Sequence, residues 1–264
     1  MQKSIAVGGL VLALISSFIA APPTEAQTAA ATTRPCAAPA EFARLGQQLH
    51  RTALALASGE PVVIVALGSS STSGAGASSP AHTYPAKLEA ELRARFPGNT
   101  ITVVNRGVGG EDARQMLARF EAGVLTEQPD LVLWQVGTNA VLRDLKVSGQ
   151  APLLHEGIAR LKASRADVVL IDSQYAPKVL AKPSHPAMME LLAKTAEEER
   201  IGLFQRFAIM RHWVEVERMP FEALLSPDGL HMNDWSYGCI GKLIGDAVVD
   251  AVRNPAVAKA RVRR

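Results

Sequence analysis

The chain has 264 residues, 48% of them hydrophobic and 20% charged, which is enough apolar material for one full core and excludes disorder throughout. Its formal charge of +3 arises at the far C-terminus, where Arg253, Lys259, Arg261, Arg263 and Arg264 carry five positives; setting these aside leaves a body of −2. A basic tail on a mildly acidic body is no nucleic-acid groove, so nucleic acid is not the expected partner.

In chain order, Lys3, the apolar run from Ile5 to Ala21, the Pro22-Pro23 break and the small residues around Thr24-Glu25-Ala26 read as a signal peptide over residues 1–26. The expected location is therefore outside the cytoplasm, periplasmic or secreted. The apolar run sits at the short limit for a spanning helix, which weighs against an uncleaved anchor. No later segment is long and apolar enough to cross a bilayer, so no stable membrane insertion is expected once the signal is removed. Residues 27–39, rich in Ala, Thr and Pro, read as a flexible leader. A single domain is expected over 40–254, followed by the basic tail 255–264.

Apolar residues recur at helical spacing over 40–57. Strands are then predicted at 61–67, 100–105, 130–136, 167–172 and, more weakly, 201–204. Helices are predicted at 83–96, 112–122, 152–165, 186–200, 206–217 and 234–253. The strands are continuous apolar runs rather than alternating ones, as expected when helices cover both faces of a sheet. Alternating strands and helices point to an α/β fold with a central parallel sheet and right-handed crossovers. Cys36 and Cys239 are the two cysteines, one in the leader and one in the last helix. An exported chain would let them form a disulfide, and two buried free thiols are the alternative. They have no metal-ligand spacing, and no metal or cofactor is expected.

The strand exits carry the chemistry. The first strand ends in Gly68-Ser69-Ser70-Ser71-Thr72, the second in Asn105-Arg106-Gly107-Val108-Gly109-Gly110-Glu111-Asp112, the third in Gly137-Thr138-Asn139-Ala140 and the fourth in Asp172-Ser173-Gln174-Tyr175. In a parallel sheet all four exits lie on one edge, where ligands bind. A serine there is a weak nucleophile until a base takes its proton. Among six histidines, His231 alone combines a carboxylate within one turn, Asp228, with an apolar C-terminal helix following it. Asp228 can accept from the imidazole and set its tautomer, leaving Nε2 to receive the serine proton. Gly109, Gly110 and Asn139 are candidate donors to a developing oxyanion, each also explicable as ordinary turn chemistry.

These four exits and the Asp-x-x-His pair resemble the SGNH (GDSL-type) hydrolases. The family's Gly-Asp-Ser block is similar to Gly68-Ser69-Ser70, its second-block glycine falls on Gly110, its Gly-x-Asn-Asp block on Gly137-Thr138-Asn139, and its last block on Asp228 and His231. The resemblance implies a three-layer α/β/α sandwich of flavodoxin-like type and hydrolysis of esters. It implies Ser70 as nucleophile, Asp228 and His231 as its partners, and the Ser70 N–H, Gly110 N–H and Asn139 side chain as oxyanion donors. Two departures stand out. Ser69 and Ala140 occupy positions where the family pattern has aspartate.

Tyr175, Trp213 and His212 lie on connections directed toward the active edge, and Tyr175 and Trp213 are candidate substrate contacts. Trp134 reads as core and Trp235 as a buttress of the last helix. Glu111 and Asp112 are expected to start a helix, and Arg106 to lie at the surface. The expected function is an exported serine esterase removing acyl groups, acetyl in particular, from a glycan or small ester. One alternative is an acyltransferase using the same groups. Another is a flavodoxin-like binding module whose Ser71-Thr72-Ser73-Gly74 loop cradles phosphate. Nothing in the chain speaks to oligomeric state or names the acyl group.

Overall fold

The structure, a computed structural model, describes residues 35–253. The signal peptide expected over 1–26 and the basic tail expected over 255–264 lie outside the described residues.

Five strands, β1 (Val62–Gly68), β2 (Ile101–Gly107), β3 (Leu131–Gln135), β4 (Asp167–Ile171) and β5 (Gly202–Phe204), form one sheet in the order β2-β1-β3-β4-β5. Every pairing is parallel. The order reverses direction at β1, so a crevice opens at the exits of β1 and β3. Apart from one half-buried residue at Val63, β1 is buried throughout, and β3 is buried along its whole length. These are the continuous apolar runs that a sheet covered on both faces requires.

The longer helices are α1 (His50–Ser58), α2 (Tyr84–Arg95), α3 (Ala151–Ala163), α4 (His185–Glu198), α5 (Arg206–Glu215) and α6 (Asp234–Val252). Helix α6 packs against α1 and α2, while α3 and α4 pack against each other and against β4. The α2–α6 contact is close because α6 carries glycine where it crosses: a Cβ at Gly241 would lie 2.9 Å from the Tyr84 carbonyl oxygen. On the other layer, Gly157 of α3 leaves room for the Trp134 ring, which is fully buried and meets Phe120 edge-on at 5.3 Å.

The predicted elements hold with three corrections. The helical run over 40–57 divides into a short helix, Ala40–Ala43, and α1. The helix expected over 112–122 is two short ones, Ala113–Ala118 and Phe120–Gly123. Strand β2 runs two residues further than expected, so Arg106 and Gly107 also belong to the strand and the exit begins at Val108. That exit extends because Val108 N–H donates to the Gly68 carbonyl at 3.0 Å, prolonging the β1–β2 ladder.

Cys36 and Cys239 form a disulfide across 203 residues. Beside it the Trp213 indole N–H donates to the Ala37 carbonyl at 2.7 Å. The end of the stretch read as a leader is thus fastened to α5 and α6. Among the described residues no helix is long and apolar enough to cross a membrane.

Candidate active site

Strand β1 ends at Gly68, where a Cβ would lie 2.9 Å from Gln135 Oε1 and collide with the Thr72 side chain. The chain then turns into a short helix, Ser70–Ser73, closed by Gly74 at φ 102°, whose N–H donates to the Ser70 carbonyl at 3.0 Å. Ser70 therefore stands first in a helical turn at the carboxyl end of a buried strand. Its Oγ lies 2.8 Å from His231 Nε2.

His231 sits at the end of a turn that Asp228 builds. Asp228 Oδ1 accepts from the Leu230 N–H, the His231 N–H and the Ser226 hydroxyl, each at 2.9 Å. Gly229 supplies the positive φ of 66° at the turn's tip. Asp228 Oδ2 faces His231 Nδ1 at 2.5 Å. One carboxylate thus both folds the loop and orients the ring. Partial burial pushes the Asp228 carboxyl up, but the His231 ring, the two backbone N–H groups and Ser226 together outweigh it and hold the carboxyl well below the usual carboxylate range.

The third and second exits meet at Glu111. Asn139 Nδ2 donates to the Glu111 carbonyl at 2.8 Å. Gly110, at φ 82°, precedes it, and the Gly110 N–H meets no protein acceptor among the described residues. Arg143 clamps this loop from outside, reaching the Gly110 carbonyl at 2.5 Å and Asp112 at 3.2 Å. Asp112 caps the helix Ala113–Ala118 in a capping box with Gln115, as expected of it. Glu111 instead pairs with Arg119 at 2.7 Å.

The two departures from the family pattern have local explanations. Ser69 is buried, and its N–H and hydroxyl both donate to Gln135 Oε1 at 3.0 Å. Thr72 Oγ1 reaches the same oxygen at 3.3 Å. Gln135 thus braces the turn that carries Ser70. Ala140 is buried in the core, where a carboxylate would lose its hydration.

Of the two candidate substrate contacts, one falls elsewhere. Trp213 is fully buried and meets Trp235 edge-on at 5.1 Å, so it packs within the fold and lines no substrate edge. His212 pairs with Glu217 at 3.5 Å. Arg106 lies at the surface as expected, partly exposed and bonded to the Gly123 carbonyl and Glu127. Tyr175 is half-buried among Phe207 and Phe221, with its hydroxyl donated to Glu215 at 2.7 Å. In the candidate phosphate loop Ser71 and Thr72 are buried and so turned away from an anion, while Ser73 is exposed and its hydroxyl donates to the Ser70 carbonyl at 3.0 Å. Among the described residues no group of His, Cys, Asp and Glu could hold a metal ion.

Sequence reasoning passed over Gln135, Gln174, Arg143, Arg206 and Ser226. Gln135 carried a signal, being a polar residue that closes an apolar buried strand. Gln174, Arg143 and Arg206 have none, because what gives each its part is a partner far away in the chain; Ser226 serves Asp228, two residues on.

The family described as non-GDSL lipase-like matches residues 35–254. An acetylxylan esterase of Geobacillus stearothermophilus is 38% identical over 60 residues, 23% of this chain and 27% of that protein. An arylesterase of Vibrio mimicus is 25% identical over 152 residues, 58% of this chain and 72% of that protein. A two-domain esterase active on acetylated mannans, crystallised with mannopentaose, superposes with a TM-score of 0.68 at 21% identity, over 80% of this chain and 56% of that one. This last likeness speaks for the fold. The chain covers less than two thirds of the acetylxylan esterase and of the mannan esterase.

Proposed function

This chain belongs to the non-GDSL lipase-like family, and on that premise we propose that it is an exported serine esterase that hydrolyses acyl esters, acetyl esters of a glycan above all. The observation that carries the reading is the line Ser70 Oγ–His231 Nε2 at 2.8 Å and His231 Nδ1–Asp228 Oδ2 at 2.5 Å. The relatives named as acetylxylan esterase and arylesterase support the ester substrate.

In the proposed reaction His231 Nε2 takes the Ser70 proton as Oγ bonds to the acyl carbon. Asp228, kept ionised, holds the ring and stabilises the imidazolium. The carbonyl oxygen becomes an oxyanion that would receive the Ser70 N–H, the Gly110 N–H and the second Asn139 amide hydrogen. Collapse breaks the ester C–O bond, and the leaving alcohol takes the proton back from Nε2. Water then attacks the acyl-enzyme by the same path and releases the acid and free Ser70.

Water as the acceptor fits the partial exposure of the nucleophile: Ser70 is half-buried rather than enclosed. A transferase would need that water excluded. Export is supported by the Cys36–Cys239 disulfide, since such bonds persist in oxidising compartments. The test is Ser70→Ala on p-nitrophenyl acetate and on acetylated xylooligosaccharides. Loss of turnover by about 10³-fold or more is expected, and retained turnover overturns the reading.

A further inference from the structure

Arg206, the first residue of α5, is completely buried. Its Nη2 donates to the Asp172 carbonyl at 2.6 Å and to Gln174 Oε1 at 3.1 Å. Its Nε and Nη1 have no hydrogen-bond partner. A buried guanidinium with two unmet donors is a poor device for stability alone. Its surroundings point to another task. Gln174 is itself buried, and its Nε2 donates to the Leu230 carbonyl at 3.2 Å. Leu230 directly precedes His231.

The chemistry of the two groups makes this a directed relay. Arginine has only donors, so it selects the oxygen of the Gln174 amide. The amide nitrogen must then face the other way, toward the Leu230 carbonyl. Without the guanidinium, either end of the amide could face Leu230, and one of them would set oxygen against oxygen. Arg206 lies in electrostatic range of the buried Asp172 carboxyl first, and also of Tyr84 and Tyr237. Tyr84 hydrogen-bonds the Thr72 hydroxyl at 3.1 Å and Tyr237 donates to the Ala75 carbonyl at 2.7 Å, both in the turn that carries Ser70. The cation thus sits among the supports of both turns that must meet.

We propose that Arg206 is a positioning residue for the His231 imidazole, acting through the Gln174 amide on the Leu230 carbonyl. The proposal rests on the esterase reading and deepens it by adding a residue remote from the reacting atoms.

Gln174→Glu is the decisive variant. It keeps an acceptor against Arg206, so the fold is retained, but removes the donor to Leu230 and sets a carboxylate oxygen against that carbonyl. Expected is a fall in kcat on p-nitrophenyl acetate of about tenfold, with KM changed less than about twofold, as for a small misplacement of a reacting group. Hydrogen exchange of the Leu230 and His231 amides should quicken. Arg206→Lys, which keeps charge but not the reach to both acceptors, should lower kcat similarly, and the double variant should fall no further than either single one. A folded Gln174→Glu protein with wild-type kcat and exchange, or additive losses in the double variant, overturns the proposal. If the wild-type protein hydrolyses no ester, the esterase reading fails, and the exchange rates alone still decide whether the relay exists.

Discussion

Asn139 and Glu111 are joined across two strand exits, the Asn139 side-chain amide donating to the Glu111 carbonyl at 2.8 Å. An amide nitrogen carries two hydrogens, so fixing one in this bond fixes the direction of the other. In Asn139→Asp both donors are lost and a carboxylate faces the carbonyl. Steady-state kinetics should show kcat lowered by about 10²–10³-fold with KM little changed, the size of effect seen when one oxyanion donor is removed. An unchanged kcat would remove Asn139 from the site.

Asp228 makes a second prediction in two parts. Its carboxyl is depressed, opposed by burial but carried by the hydrogen bonds from His231, Leu230 and Ser226. A depressed carboxylate contributes stability that is present above its unfolded-state pKa of about 4 and lost as pH falls below it. Asp228→Asn should therefore flatten the acid side of the stability curve, read by denaturant titration between pH 5 and pH 2.5. The same variant should lose about 10⁴-fold in kcat, because an amide no longer selects the ring tautomer.

Asp172 should behave in the opposite sense. Burial pushes its carboxyl up to about 7, against the lowering pull of the Phe207 N–H and of Arg206. A raised carboxyl contributes stability that is full below about pH 4 and is lost as pH rises through about 7. Replacing it by asparagine, which can still accept from the Phe207 N–H at its present 2.8 Å, removes that loss. Relative to wild type, Asp172→Asn should gain stability steadily between pH 4 and pH 8 in thermal melts. A constant difference across that range would contradict this.

The Cys36–Cys239 bridge closes a loop of 203 residues. Reduction should cost about 2–4 kcal/mol, or roughly 5–15 °C in Tm for a domain of this size. The bridge joins the leading segment to α6, and neither cysteine takes part in the Ser70–His231–Asp228 hydrogen bonds. Activity of the reduced protein at 25 °C should accordingly persist, and the melting curve should carry the effect.

Much of the fold was legible because the buried parallel strands β1, β3 and β4 are written as nearly unbroken apolar runs, while the edge strands β2, half exposed and partly polar, and β5, three residues long, carry a weaker form of the signal. The short helices between β2 and β3 were not legible, since their ends are set by the Asp112 cap and by tertiary packing rather than by period. Asp228 and His231 could be named from a local signal, two residues three apart, whereas the strand end pointed only to a run of serines and the register of the SGNH resemblance singled out Ser70. Trp213 was misjudged because an aromatic on a helix near the edge looks alike in sequence whether its ring faces out or in. Here its N–H is held by Ala37, 176 residues away. Arg206 and Gln174 were invisible for the same reason, their meaning residing wholly in the Leu230 carbonyl they serve through space.

The central claim is that His231 activates Ser70, and fluorophosphonate labelling with mass spectrometry of the modified peptide tests it most directly. The account predicts a single adduct on Ser70, abolished in Ser70→Ala and strongly slowed in a variant lacking the His231 imidazole. A protein that stays unlabelled, or one labelled at another residue with Ser70 intact, would contradict it.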